Sequence, residues 1–204
     1  MKTNRDAILQ SALQLFMSMN YERVSLQMIA KTVGLTKTGI FNYYPTKLDL
    51  FIAVADKYLF NAQDPKDKCA TSDGTLADFI EKYIEGVQRT MSMIVELGNI
   101  RHESMPGQSA NAGYFHLFQQ VLFYYPDGKR KLNETIQKEY TYWRSAIRHA
   151  IENGEINPNT NLDEAVALFR QLFVGLSYEM SLNQGLDTAL LKRHFQYIYM
   201  LLRK

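Results

Sequence analysis

Apolar residues recur at helical spacing along most of the chain, and no segment shows the valine-rich alternation that is typical of β-strands. Polar stretches with Pro and Gly over residues 63–74 and 98–113 predict loops. The longer amphipathic segments between them predict helices over residues 4–19, 46–61, 76–97, 114–125, 129–153, 162–182 and 188–202. The pattern therefore predicts an all-α protein.

Residues 24–47 predict two short helices joined by a tight turn. Four apolar residues at i, i+3, i+4 and i+7 form one stripe of the first helix: Leu26, Ile29, Ala30 and Val33. Ser25 precedes the stripe, where a hydroxyl can cap the free N–H groups. Gly34 follows it, where a sharp turn requires positive φ.

Two threonines predict the starts of the next helices. Thr36 can cap the second short helix, which Pro45 ends, because proline disfavours helix in the residue before it. Thr46 can cap a third helix, with Asp49 three residues further on as a capping box. A helix, a glycine turn and a second helix make up the helix-turn-helix arrangement, which places its second helix in the major groove of DNA.

Charge supports this interpretation of residues 24–47. The segment contains Lys31, Lys37 and Lys47 and no Asp or Glu. Phosphate contacts favour such a composition, since a nearby carboxylate would oppose them. The candidate DNA-binding residues are Ser25, Gln27, Thr36, Lys37, Thr38, Gly39, Phe41, Asn42, Tyr43 and Lys47.

The first fifty residues, from ILQSALQLF through the glycine turn to FNYYPTK, resemble the DNA-binding domain of tetracycline-repressor (TetR) family regulators. The resemblance implies that Gln27, Lys37, Thr38 and Gly39 meet base edges. It also implies that three further residues meet the DNA backbone or the base beside it: Phe41, Tyr43 and Lys47. Gly39 stands where the family usually has threonine, and Phe41 where it usually has tyrosine.

Composition sets outer bounds on function. Hydrophobic residues make up 46% of the 204-residue chain and charged residues 22%, which is ordinary for a globular protein. The net charge is only +2, but residues 1–50 hold six cationic side chains against three carboxylates, so positive charge is concentrated at the proposed DNA end. One cysteine, Cys69, excludes an internal disulfide and fits a cytoplasmic protein. No export signal or membrane-spanning run is expected.

The sequence predicts two domains, a helix-turn-helix domain over residues 1–48 and a helical effector-binding and dimerisation domain over residues 49–204. The last two helices are nearly continuously apolar, which favours a homodimer surface, although central core helices would show the same pattern. The two helix-turn-helix domains of such a dimer could bind a palindromic operator in double-stranded DNA. The candidate dimer residues are Phe169, Leu172, Phe173, Leu176, Met180, Phe195 and Tyr199.

Aromatic residues are numerous between Phe79 and Trp143, where a mostly apolar ligand cavity is possible. Aromatic residues at helical spacing also form ordinary cores, so both interpretations stay open. The family resemblance implies a small apolar or amphipathic effector in this region. The candidate pocket residues are Tyr83, Met91, Tyr114, Phe118, Leu122, Tyr140 and Trp143.

The sequence offers little for catalysis, and we expect no catalytic residue, metal or cofactor. His102 and Glu103 lack the i, i+4 histidine pairing of a zinc site, and Cys69 has no nearby histidine. The sequence therefore predicts a ligand-responsive transcriptional regulator, most simply a repressor. The alternative is an all-helical ligand- or protein-binding module without specific DNA binding.

Overall fold

The computed structural model describes residues 4–62, 74–98, 110–183 and 185–203. Every regular element in these ranges is helical: α1 Asn4–Ser18, α2 Leu26–Val33, α3 Lys37–Phe41, α4 Lys47–Ala55, α5 Leu76–Gly98, α6 Ala110–Tyr124, α7 Gly128–Glu152, α8 Leu162–Ser181 and α9 Thr188–Leu202. The all-α prediction is confirmed. The predicted loops over 63–74 and 98–113 lie mostly outside the described residues.

The chain divides into two compact units, and the first consists of Met1–Ala62 and Met93–Leu132. Within it, α1 packs against α2, α4 and α6. The fully buried side chains at its centre include Phe16, Ile29 and Phe51. The helix-turn-helix segment thus shares a core with α4 and α6, whereas the sequence places a functional boundary at residue 48. That boundary stays a prediction.

The predicted capping of α2 is confirmed. The Ser25 hydroxyl accepts a hydrogen bond from the Met28 backbone N–H at 3.2 Å. Gly34 ends the helix in the left-handed region at φ 69°, and its N–H donates to the Ala30 carbonyl. A side chain would be strained at this φ, so glycine fixes the direction in which the chain leaves α2.

The predicted caps of α3 and α4 are confirmed as well. The Thr36 hydroxyl accepts from the Gly39 N–H at 3.0 Å. Thr46 and Asp49 form a reciprocal capping box, in which each side chain accepts the other residue's backbone N–H at 3.0 Å. Local side-chain chemistry therefore sets where α3 and α4 begin.

The end of α4 differs from the uniform helix that the apolar spacing predicts over residues 46–61. Asp56–Phe60 is a π-helical turn, closed by a hydrogen bond from the Asn61 N–H to the Asp56 carbonyl at 2.9 Å. Tyr58, Leu59 and Phe60 are all buried. The segment therefore ends in a wider turn than an α-helix has, at the point where three consecutive side chains are buried.

The second unit consists of Gln63–Ser92 and Asn133–Lys204. Its core is centred on Trp143, whose indole stacks on Phe169 at 4.6 Å and meets Phe195 edge-on at 5.3 Å between ring centroids. The Glu155 carboxylate accepts the backbone N–H groups of Leu76 and Ala77 at the start of α5. None of the described helices has the length and apolar character needed to cross a bilayer.

Candidate DNA-binding surface

Six of the predicted DNA-contacting side chains are exposed on α2, α3 and the turn that follows α3. They are Gln27, Lys37, Thr38, Phe41, Asn42 and Tyr43. The buried side of the same element is held by Ile40, which is fully buried, and by Tyr44. A five-residue α3 thus has a fixed inner side and an outer side rich in hydrogen-bonding groups, as base-edge and phosphate contacts require.

Positive charge on this surface comes from Lys31 and Lys37, both exposed. The Lys37 ammonium lies 5.6 Å from the centroid of the Phe41 ring, which is itself 41% exposed. Because residues 24–47 contain no carboxylate, no acid within the segment competes with phosphate for these ammonium groups.

Two candidate contact residues also act as helix caps. Ser25 and Thr36 each accept a backbone N–H through the side-chain oxygen. A hydroxyl that accepts in this way keeps its own hydrogen to donate, so each side chain can cap its helix and still donate to a phosphate oxygen.

Gly39 lies on α3 with room for a larger residue. A Cβ at this position would come no closer than 3.4 Å to any neighbour, and that neighbour is the Thr36 hydroxyl. Packing within the chain therefore does not require glycine here. The absence of a side chain leaves space at the part of α3 that the family resemblance places against base edges.

Lys47 has an internal role that its sequence does not indicate. Its ammonium donates to the Tyr21 carbonyl at 2.8 Å and lies 4.1 Å from the centroid of the Tyr21 ring. Burial lowers the pKa of Lys47 below its ordinary value, and the Glu22 carboxylate opposes that shift. Lys47 thus ties the start of α4 to the α1–α2 connection, and a phosphate contact from Lys47 stays a prediction.

We expect Lys47→Met to lower the free energy of unfolding by about 1 kcal/mol, because methionine keeps part of the stem but loses the carbonyl contact and the cation–π contact. If Lys47 also contacts a phosphate, the change should lower the affinity for DNA, and by the same factor for two duplexes of unrelated sequence. Urea unfolding and two binding titrations measure both effects. Lys138→Met, on an exposed lysine of α7, is the control. Unchanged unfolding and unchanged affinity would contradict both roles.

The predicted pocket residues fall into two sets. Tyr83 and Trp143 are fully buried in the core of the second unit, and Met91 and Tyr140 pack against that core. The other three lie on α6 in the first unit, where the Tyr114 hydroxyl donates to the Tyr58 carbonyl at 3.0 Å and Leu122 is 48% exposed. Phe118 is half-buried. The structure therefore brings together the four residues of the second unit, and the three on α6 are not part of that cluster.

The predicted dimer residues lie mostly on the inner side of α8 and α9. Phe169 and Phe195 are fully buried in the core of their own chain, so neither can reach a partner without repacking. The remaining five are half-buried: Leu172, Phe173, Leu176, Met180 and Tyr199. The exposed apolar side chains of the two helices include others that the sequence interpretation did not select: Leu168, Val174, Tyr178, Leu182, Tyr197, Met200 and Leu201.

Among the described residues, no group of three or more His, Cys, Asp or Glu side chains could hold a metal ion. Cys69, His102 and Glu103 lie outside the described residues. The candidate site itself consists of helix ends, hydrogen-bonding groups and lysines on α2, α3 and the turn that follows α3.

A capped glycine-turn helix pair with an acid-free exposed side has the geometry of the helix-turn-helix class of DNA-binding motifs. Residues 8–54 match the sequence profile of the bacterial regulatory proteins of the tetR family. The chain is also similar to the HTH-type transcriptional regulator SrpR of Pseudomonas putida, with 23% identity over 206 residues that cover 98% of this chain and 85% of SrpR. Residues 8–54 thus resemble a tetR-family DNA-binding domain, and the chain as a whole is similar to an HTH-type transcriptional regulator.

Solved structures show the same fold. MexZ, a key repressor responsible for antibiotic resistance in Pseudomonas aeruginosa, aligns with a TM-score of 0.69 and 17% identity, covering 98% of this chain and 95% of MexZ. A transcriptional regulator from Saccharomonospora viridis, solved in complex with choline, aligns with a TM-score of 0.65 and 18% identity, covering 96% of this chain and 95% of that one.

Proposed function

We propose that this regulator is a repressor that binds a palindromic operator as a homodimer and is released by a small apolar or amphipathic effector. The observation that carries the DNA-binding part is the exposed, acid-free side of α2 and α3, with Lys31 and Lys37 beside a row of hydrogen-bonding side chains. As a regulator of transcription it would act in the cytoplasm, where bacterial DNA lies.

Dimerisation is supported by an outward apolar stripe on α8 and α9. On α8 and its C-cap residue Leu182, exposed residues at i, i+7, i+10 and i+14 lie on one side: Leu168, Gly175, Tyr178 and Leu182. On α9, the corresponding residues are Tyr197 and Leu201, which are 59% and 66% exposed. Leucine and tyrosine side chains this exposed, in one continuous stripe, are typical of a surface that a partner covers.

A shallow groove of about 530 Å³ lies between the two helices of this stripe, lined by Leu168, Gln171, Leu172, His194, Tyr197 and Ile198. Beside it, Gly175 has nothing within 4 Å of the position where a Cβ would lie. A glycine at an exposed site of a long helix costs about 1 kcal/mol of helix propensity, which close approach of a second helix would justify. We propose that the occupant is the same surface of a second copy.

The effector would bind in the second unit, beside the aromatic cluster of Tyr83 and Trp143, with Met91 and Tyr140 at its edge. Ligand sites are mostly apolar, with a few placed polar groups, and this cluster has both kinds of group. The relative from S. viridis was solved with choline bound, which shows that a protein of this fold can hold a small organic molecule.

Release from DNA would follow from a shift of α4 when the effector favours one arrangement of the chain. Two neighbouring residues at the end of α6 contact the C-terminal end of α4 and the α1–α2 connection, to which Lys47 ties the start of α4. Tyr124 stacks on Tyr21 at 4.4 Å between centroids, and the Tyr125 hydroxyl donates to the Asp56 carboxylate at 2.8 Å. A movement of α6 would therefore move α4 with it.

Selection of bound duplexes from a random library tests the DNA-binding proposal. We expect two inverted half-sites with centres about 10 base pairs, or a multiple of this, apart, because a two-fold dimer with one recognition helix per protomer spaces its half-sites by whole helical turns. Enrichment of a single unrepeated site would contradict the dimeric repressor. A library that showed no enrichment at low salt would contradict specific DNA binding altogether.

A further inference from the structure

The core of the second unit contains an ion pair that is almost completely buried. Arg170 on α8 and Glu139 on α7 are 3% and 6% exposed, and their Nη1 and Oε2 atoms are 2.5 Å apart. The same Nη1 donates to the Tyr83 hydroxyl at 3.0 Å. Burial disfavours the charge on Arg170, yet the neighbouring Tyr83 and Glu139 raise its pKa above the ordinary value. The guanidinium is therefore charged and its charge is balanced within the core.

The hydrogen bonding of this cluster is incomplete. Arg170 Nε, Trp143 Nε1 and Ser177 Oγ are buried, and no acceptor or donor among the described residues reaches them. Buried N–H groups are almost always paired, because an unpaired one has lost its hydrogen bond to water and has gained none within the protein. Since Glu139 already balances the charge of Arg170, what the cluster lacks is an acceptor atom rather than a negative charge.

The three unpaired groups lie on facing sides of two helices. Arg170 and Ser177 are seven residues apart on α8, and Glu139 and Trp143 are four residues apart on α7, so each pair shares one helix face. Tyr83 links the two sides, because its hydroxyl bonds to Arg170 while its ring meets the Trp143 indole at 5.0 Å between centroids.

Two half-buried aromatic rings pack beside the Arg170 guanidinium. The Arg170 guanidinium carbon lies 5.7 Å from the centroid of the Tyr140 ring and 5.5 Å from that of Phe173. Both side chains pack against the core without being fully buried. A flat ring that displaced one of them would keep the aromatic surroundings and reach the guanidinium.

We propose that Arg170 and Trp143, with Ser177 at the edge, form the polar end of a site for an uncharged aromatic molecule that carries a hydrogen-bond acceptor oxygen, such as an aryl ketone or ester. The oxygen accepts from Arg170 Nε and Trp143 Nε1, and the ring takes the place of Tyr140 or Phe173 beside Tyr83. A carboxylate is disfavoured, because Glu139 already neutralises the guanidinium and would repel a second anion. This inference rests on the proposed function, since it names the chemical class of the effector.

Two matched probes test the inference on the full-length protein: 2-acetylnaphthalene, which has a carbonyl, and 2-ethylnaphthalene, which replaces the carbonyl with CH₂. We expect calorimetry to show the ketone binding about tenfold more tightly than the hydrocarbon, and 2-naphthoate binding more weakly than the ketone. The chain has one tryptophan, so quenching of its emission reports binding beside Trp143.

Two variants locate the acceptor contact. Trp143→Phe keeps an aromatic ring but removes the N–H, and the paired change Arg170→Met with Glu139→Gln removes both charges together. Either variant should abolish most of the preference for the ketone while leaving the affinity for 2-ethylnaphthalene within about twofold. Thr141→Ala, at an exposed position of α7, is the control and should leave both affinities unchanged. If the paired variant does not fold, Trp143→Phe alone decides.

Equal affinities for the two naphthalenes, no binding of either, or a ketone preference that survives in Trp143→Phe would overturn the inference. So would an ordered water that bonds to Arg170 Nε and stays there at saturating ketone. Operator binding by the unaltered protein without probe is measured in parallel. If the unaltered protein does not bind an operator, the proposed function is refuted, and the probe result still stands. If it binds an operator but shows no preference for the ketone, only this inference is refuted.

Discussion

Gly175→Glu is expected to convert the protein from dimers to monomers and to lower operator affinity about 100-fold or more. In the single chain this change meets nothing, since no atom lies within 4 Å of the added Cβ, and glutamate favours helix more than glycine does. In the proposed dimer it places a carboxylate from each protomer in the apolar stripe of α8. Operator affinity then falls, because a dimer that binds two half-sites at once has a much higher affinity than a single helix-turn-helix domain on one half-site.

Light scattering gives the mass in solution, and fluorescence anisotropy gives the affinity for a selected palindrome. Ser145→Glu adds the same carboxylate to an exposed position of α7 and should change neither. The Gly175→Glu chain should still unfold cooperatively on heating, because the added side chain meets nothing within its own chain. If Gly175→Glu stays dimeric and binds the palindrome with the affinity of the parent, the α8–α9 stripe is not the dimer surface.

Replacing Lys31 and Lys37 together with alanine is expected to weaken binding to every duplex, on the order of 100-fold at moderate salt. Both ammonium groups are exposed on the candidate DNA-binding surface, and a dimer loses four of them. Each phosphate contact releases condensed counterions, so the slope of log affinity against log salt should become less steep by about 3 to 4.

Titrations at several salt concentrations measure that slope directly. Lys138→Ala removes a lysine from an exposed position of α7 and should leave the slope unchanged. The single change Lys37→Ala should also alter which bases are selected, because Lys37 begins α3. A slope that stays the same in the double variant would show that these two lysines do not contact phosphate.

Helix boundaries in the DNA-binding segment could be predicted because they depend on local chemistry. Ser25, Thr36 and Thr46 cap their helices, and Gly34 takes the positive φ that ends α2. Each of these effects acts within three or four residues, so the sequence contains the information. The π-helical turn at Asp56–Phe60 is different, because the apolar spacing of residues 46–61 fits a uniform α-helix and gives no sign of the wider turn.

Which side of α8 faces the core could not be predicted, because both sides of the helix carry apolar residues. The core side holds Ala165, Val166 and Phe169, while Leu168, Tyr178 and Leu182 point outward. Hydrophobicity alone ranks Phe169 as the better interface residue. Its burial is decided by the stacking partner Trp143, which lies on another helix.

The internal contact of Lys47 and the buried Arg170–Glu139 ion pair could not be predicted, because each joins residues that are distant in sequence. Lys47 was predicted to meet DNA, and only the fold shows that Tyr21 lies within reach of its ammonium. Arg170 and Glu139 are residue types that usually lie at the surface, so the sequence gives no reason to place them in a core. Their pairing follows from the packing of α7 against α8 in the second unit.

Sedimentation of the purified protein with a selected palindromic duplex tests most directly whether two helix-turn-helix heads are joined for DNA binding. The account predicts two chains per duplex in dilute salt, and dissociation of the complex as salt is added. Protein that sediments as a single 23.6 kDa chain, with no duplex bound even in dilute buffer and no copurified molecule to displace it, would contradict it.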